Sequence, residues 1–146
     1  MTTPRWMTLE DEPDVRRLFA ACHPGALARP KHWYQAVPTL VLGGPRHVMG
    51  FTSFTLSPTD KGFACYGQDV CVDTAVRGAG YGRLLHLARC GIAKSLGAVD
   101  FIGLTAPDNR AMIRIFEGQG LKPWKTIPNA YPHETPGTGV VWIGAL

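Results

Sequence analysis

The stretch V-C-V-D-T-A-V-R-G-A-G-Y-G-R-L-L, residues 70–85, constrains the fold more than any other part of the chain. Gly78, Gly80 and Gly82 separate an apolar, strand-like run from a run with helical spacing. Glycine loses more conformational freedom on folding than any other residue, so three within five positions imply a connector that needs bare backbone. The N–H groups at a helix start have no intrahelical partner and sit at the positive end of the helix dipole. The connector therefore reads as an anion cradle, with Arg77 and Arg83 beside it as charge-assisted donors.

Two familiar glycine loops do not fit. A dinucleotide fingerprint G-x-G-x-x-G begun at Gly78 needs glycine at position 83, which is Arg83, and a Walker A loop needs Gly-Lys followed by Ser or Thr, which is absent. What remains is R-x-x-G-x-G, carried by Arg77, Gly80 and Gly82, set on a helix start.

The flanking chain reads as alternating elements. Val15, Leu18, Phe19 and Cys22 repeat at i, i+3, i+4 and i+7 behind the acidic start E-D-E-P-D, the pattern of one buried helix face. The loop at residues 23–38 holds one helical turn around Lys31 to Ala36, and T-L-V-L-G-G, H-V-M-G-F-T-S-F-T-L and Phe63 to Val72 form an antiparallel meander. After the glycines, Leu84, Leu85, Ala88, Ile92 and Leu96 mark a buried helix face opposite Arg83, Arg89 and Lys94. V-D-F-I-G-L-T-A reads as a strand buried on both faces, P-D-N-R-A-M-I-R-I-F-E-G-Q-G as a helix, and Leu121 to Thr126 and V-V-W-I-G-A-L as closing strands. The order β-α-β-β-β-α-β-α-β-β is that of an α/β sheet with helices on its faces.

At 146 residues, 45% hydrophobic and 18% charged, the chain is expected to form a single domain, 1–146. The N-terminal segment has no signal-peptide core and no segment is apolar enough to span a bilayer, so a cytoplasmic location and no membrane partner are expected. Cys22, Cys65, Cys71 and Cys90 show no metal-ligand spacing and read as buried reduced thiols; no metal is expected. The net charge of +4 suits an anionic ligand.

Residues 70–85 and D-N-R-A-M-I-R-I-F-E-G-Q-G-L resemble the two central motifs of the GNAT superfamily of acyl-CoA-dependent N-acyltransferases. The resemblance implies a mixed, mostly antiparallel central sheet flanked by helices, with a splayed strand pair that binds coenzyme A. It implies that Val70, Cys71 and Val72 meet the pantetheine arm, and that the pyrophosphate lies on Arg77, Gly78, Ala79, Gly80, Tyr81, Gly82 and Arg83. Asn109 reaches the pantetheine or phosphate side, and Phe116 takes the cofactor-side position where many members place a proton-donating tyrosine. The implied reaction is direct transfer of an acetyl group from acetyl-CoA to a primary amine of a small molecule or protein.

Within that frame, backbone N–H groups near Cys71 and Val72 serve the oxyanion. Asp69, on the strand leading into the site, is the candidate base. Phenylalanine has no proton to give, so Tyr131 or Tyr81 is the substitute acid. Trp33, Tyr34 and His133 line the acceptor side, with the loops Lys31 to Tyr34 and Asn129 to Gly137. The alternatives are a nucleobase or nucleotide amine as acceptor, met by stacking, and a non-catalytic acyl-CoA sensor. A homodimer is compatible with this reading.

Overall fold

The computed structural model of the protein describes residues 2–134 and 137–146. Its elements run in the order β1 (Arg5–Trp6), a 3-10 turn (Leu9–Asp11), α1 (Glu12–Cys22), α2 (Trp33–Ala36), β2 (Thr39–Gly44), β3 (His47–Thr59) and β4 (Gly62–Val72), then a 3-10 turn (Thr74–Val76), α3 (Tyr81–Ser95), β5 (Ala98–Thr105), α4 (Arg110–Gly118), β6 (Lys122–Ile127) and β7 (Gly139–Ala145). The strands form a seven-stranded sheet in the order β1-β2-β3-β4-β5-β7-β6. The β4–β5 pair is parallel, while β1–β2, β2–β3, β5–β7 and β6–β7 are antiparallel. Among the described residues no helix is long and apolar enough to cross a membrane.

The chain divides into two compact units, one of Met1–Thr55 with Asp69–Gly91, the other of Leu56–Gln68 with Ile92–Leu146. In the first, Val15, Leu18 and Phe19 of α1 pack with Tyr34, Val41, Val48, Phe51 and Cys71, as the helical spacing predicts. Asp11, expected only to favour the helix start, is fully buried. Arg5 Nη1 and Nη2 donate to its two oxygens at 2.8 Å each, and the Thr8 backbone N–H donates at 2.8 Å. The Arg5 hydrogen bond, foremost, holds the Asp11 carboxyl below its usual range.

In the second unit, Phe116 of α4 lies between Phe101 and Trp142, with ring centroids 5.5 and 6.1 Å apart. A Cβ on Gly103 would come within 2.8 Å of Cζ of Phe116 and 2.7 Å of the Phe101 ring, so two rings rest on bare backbone there. β5 differs from the strand buried on both faces that is expected: Phe101, Gly103 and Thr105 are buried on one face, but Val99 at its start is exposed, and on the other face burial falls from Ala98 to the exposed Leu104.

The buried face of α3 also differs from the one expected. Leu85, His86, Arg89, Cys90 and Ala93 are buried, whereas Leu84, Leu87 and Leu96 are exposed. Arg89 is on the inside because its guanidinium has polar partners there. Nη1 donates to Thr52 Oγ1 at 3.0 Å, the Ser53 carbonyl at 3.2 Å and the Asp69 carbonyl at 3.3 Å, and Nε donates to His86 Nδ1 at 3.1 Å. A guanidinium can only donate, so His86 carries its N–H on Nε2, which lies 3.5 Å from Cys90 Sγ.

Candidate active site

The connector between β4 and α3 is built by local capping and two left-handed glycines. Asp73 accepts the N–H of Ala75 at 3.0 Å and so caps the first 3-10 residues after β4. Gly78 and Gly80 have φ values of +85° and +84°, which side-chain-bearing residues rarely adopt. Nothing lies within 4 Å of where a Cβ would stand on either, and residues 77–80 are exposed. The loop thus presents open backbone at the N-terminus of a 15-residue helix, which fits the pyrophosphate of coenzyme A. Tyr81 and Gly82 open that helix half-buried, and Ala79 and Arg83 are exposed.

The side chain of Arg77 does not extend over the loop. Its Nε donates to the Val72 carbonyl at 3.2 Å and its Nη2 lies 3.6 Å from Cys22 Sγ. Cys22, expected as an inert buried thiol, is only half-buried, whereas Cys65, Cys71 and Cys90 are buried.

At the other end of this stretch, Asp69 is 7% exposed. Arg29 Nη2 donates to both of its carboxylate oxygens at 3.1 Å, and His23 Nε2 lies 3.9 Å from Oδ1. The Asp69 carbonyl accepts the Thr52 hydroxyl at 2.7 Å as well as Arg89. The backbone leading to Val70, Cys71 and Val72 is therefore anchored at a single residue through both carboxylate and carbonyl. Gly50 lets β3 approach the same segment, since a Cβ there would stand 3.0 Å from the Cys71 carbonyl. The ladder between β4 and β5 ends at Tyr66–Ile102, before Val70 is reached.

Around Arg29 the side chains are aromatic. Its guanidinium lies 5.1 Å from the Phe19 ring centroid and 4.7 Å from that of Trp33. Tyr34, expected on the acceptor side, is 3% exposed and packs edge-on to Phe51 at 5.8 Å, so its ring belongs to the core. Burial raises its phenol above the usual range, and the charge of Asp69 adds to the effect. Arg29 Nε, Trp33 Nε1 and the Tyr34 hydroxyl are buried polar atoms without a protein partner. Three such donors in one neighbourhood suit a polar ligand group or water.

In the second unit, Asn109 caps α4, its side-chain oxygen accepting the Met112 N–H at 3.3 Å. Phe116, expected beside the cofactor, is instead a core ring, 2% exposed. Tyr131 and His133 are half-buried and meet edge-on at 6.2 Å, with His133 Nε2 3.6 Å from Glu134. The Tyr131 N–H donates to the Gly137 carbonyl at 2.8 Å; Thr135 and Pro136 of the expected acceptor loop lie outside the described residues.

Sequence reading gave Arg29 and His86 no place in the site and set Arg89 on the face opposite the buried one. Arg89 had a signal, since Leu85, Arg89 and Ala93 follow one another at i, i+4 and i+8. Arg29 had none, because its partner is distant in sequence.

The model of the acetyltransferase (GNAT) family matches residues 5–121. The chain belongs to that family. No curated protein matches it by sequence. Among solved structures it is similar to Arabidopsis thaliana Naa50 in complex with a bisubstrate analogue, CoA-Ac-MVNAL, at 14% identity and a TM-score of 0.84, covering 99% of both chains. Arabidopsis thaliana NAA60 in complex with acetyl-CoA is 10% identical with a TM-score of 0.84, and the IAA acetyltransferase from Bacillus cereus is 14% identical with a TM-score of 0.80; both matches cover 100% of both chains. The fold is therefore the mixed α/β fold of GNAT acetyltransferases, with a mostly antiparallel sheet flanked by helices.

Proposed function

We propose that the protein transfers an acetyl group from acetyl-CoA directly to a primary amine of a small molecule or protein. The observation that carries this reading is the exposed loop of Arg77 to Gly80, with two left-handed glycines opening onto the start of α3. Acetyl-CoA supplies an activated acyl group as a thioester. The N–H groups from Arg77 to Arg83 receive its pyrophosphate, and the backbone of Cys71 and Val72 holds its pantetheine arm and polarises the acyl carbonyl. Asp69, oriented by Arg29, takes the proton of the attacking amine, directly or through water. Tyr131 is the donor assigned to the departing thiolate. A thiol has a reference pKa of only about 8.5, so this last step makes a modest demand. The acceptor is a small or peptidic amine; Trp33 of the first unit and His133 of the second are its candidate contacts, aromatic and not strongly acidic, which does not suit a polycation.

Two measurements test this. Purified protein with acetyl-CoA and a panel of amines should release free coenzyme A, with acetylated acceptor seen by mass. Ala79→Glu, in an exposed loop position without a positive φ, should abolish coenzyme A binding in calorimetry while leaving the melting temperature unchanged. Full affinity in the folded variant overturns the cradle assignment, and binding without turnover across the panel favours the sensor alternative.

A further inference from the structure

Outside the reaction assigned above, the chain contains a pair of thiols that the acyl transfer does not use. Cys22, the last residue of α1, packs against the cluster that contains Cys71 of β4. Its Sγ lies 3.9 Å from the carbonyl of Val72, the residue next to Cys71, and 3.6 Å from Arg77 Nη2. Cys22 is half-buried and Cys71 is buried, and the two side chains share a hydrogen bond. A half-buried cysteine with its sulfur beside a guanidinium and a second, buried thiol next to it is the arrangement of a peroxide-reactive cysteine and its resolving partner.

We propose that Cys22 is a site of reversible oxidation by hydrogen peroxide, resolved by Cys71 into a Cys22–Cys71 disulfide. In the first step the Cys22 thiolate attacks one peroxide oxygen and the O–O bond breaks. Sulfur is oxidised to the sulfenic acid and the peroxide is reduced, leaving as hydroxide. In the second step the Cys71 thiol loses its proton to that base and its sulfur attacks Cys22. The S–S bond forms, the S–O bond breaks, and two waters are the net products for one peroxide and two thiols.

The groups that face Cys22 explain the division of roles. From β4 come the Cys71 thiol and the Val72 carbonyl, with Asp69 behind them engaged by Arg29; from the connector comes Arg77. His23, next in the chain, packs tilted against Phe19, and Asp73 accepts the Ala75 N–H and lies 4.0 Å from Arg17. The hydrogen bond from Cys71, then the charge of Arg77, lowers the Cys22 thiol from 9.0 to about 6, while the same hydrogen bond and burial push Cys71 up. Oxidation of Cys22 to a neutral sulfenic acid removes the negative charge that keeps Cys71 protonated, so the first step prepares the second.

The test uses the whole protein without coenzyme A, so it stands apart from the acyltransferase reading. Treatment with hydrogen peroxide, followed by peptide mapping, should give a Cys22–Cys71 cross-link that dithiothreitol reverses. Iodoacetamide should modify Cys22 before Cys65 or Cys90, with a rate that rises through a midpoint near pH 6. In Cys71→Ser the oxidation should stop at a sulfenic acid on Cys22, trapped by dimedone. If that variant does not fold, the cross-link and alkylation profile of the parent protein decide the matter. A midpoint near pH 9, or oxidation of Cys65 or Cys90 with no Cys22–Cys71 link, overturns the assignment.

Discussion

Asp69 and Arg29 form a pair whose two halves differ in burial, and the difference predicts an asymmetry between their variants. The Asp69 side chain is 5% exposed and that of Arg29 is 28% exposed. At about 4 Å between charge centres and an effective dielectric near 20, their attraction is about 4 kcal/mol, before desolvation is subtracted. Asp69→Asn strands a guanidinium that still reaches water, so we expect a loss of about 2–3 kcal/mol, seen as a urea midpoint lower by about 1–2 M. Arg29→Gln strands a carboxylate that is almost wholly buried and should cost more. The double variant should be more stable than the sum of the two losses implies, with a coupling of at least about 1 kcal/mol. Kinetics then separates the roles. As a base, Asp69 should cost roughly 10²–10⁴-fold in kcat when changed to Asn, with the KM for acetyl-CoA little changed. An Arg29→Gln protein as stable as the parent refutes the pairing argument, and an Asp69→Asn enzyme with full kcat at every pH removes Asp69 from proton transfer.

Phe116→Tyr places a hydroxyl at the ring tip that rests on Gly103, so it should cost about 1–3 kcal/mol in denaturant unfolding without raising kcat. A faster, equally stable variant would mean that the ring tip faces the reacting sulfur. Arg89→Met removes a buried donor set and should cost about 3 kcal/mol or more by the same assay, since the His86, Ser53 and Asp69 acceptors lose a partner; unchanged stability would show that the network contributes nothing net. Because the folded pKa of Asp11 lies below 3.8, its contribution is full above that pH and is lost as pH falls through the lowered value. The stability gap between the parent and Asp11→Asn should therefore narrow below pH 3.8, and a gap that widens on acidification would contradict the sign. Tyr131→Phe should lower kcat with little change in coenzyme A affinity; full kcat would exclude Tyr131 as the acid.

Much of the site was legible because its signals are local. The glycines of the connector and the face of Val15, Leu18 and Phe19 are set by residues a few positions apart, whereas the cap that Asn109 provides for α4 came only with the structure. The aromatic at position 116 was visible too, but not its surroundings, because Gly103 and Trp142 reach it only through the second unit's packing. Apolarity alone does not mark the buried face of α3. Leu84 and Leu87 are apolar and exposed, while Arg89 is charged and buried.

What the sequence determined by itself is the order of elements, the family they make, and a bare-backbone connector between strand and helix, since each depends on spacing and on the conformations that glycine allows. Only the tertiary structure decided which polar groups meet: Arg29 with Asp69 across 40 positions, Arg89 with Thr52 across 37, and Arg77 with Cys22 across 55. A buried charge is tolerated where distant carbonyls, carboxylates or sulfurs converge on it, and that convergence is a property of the packed chain that no local pattern of residues records.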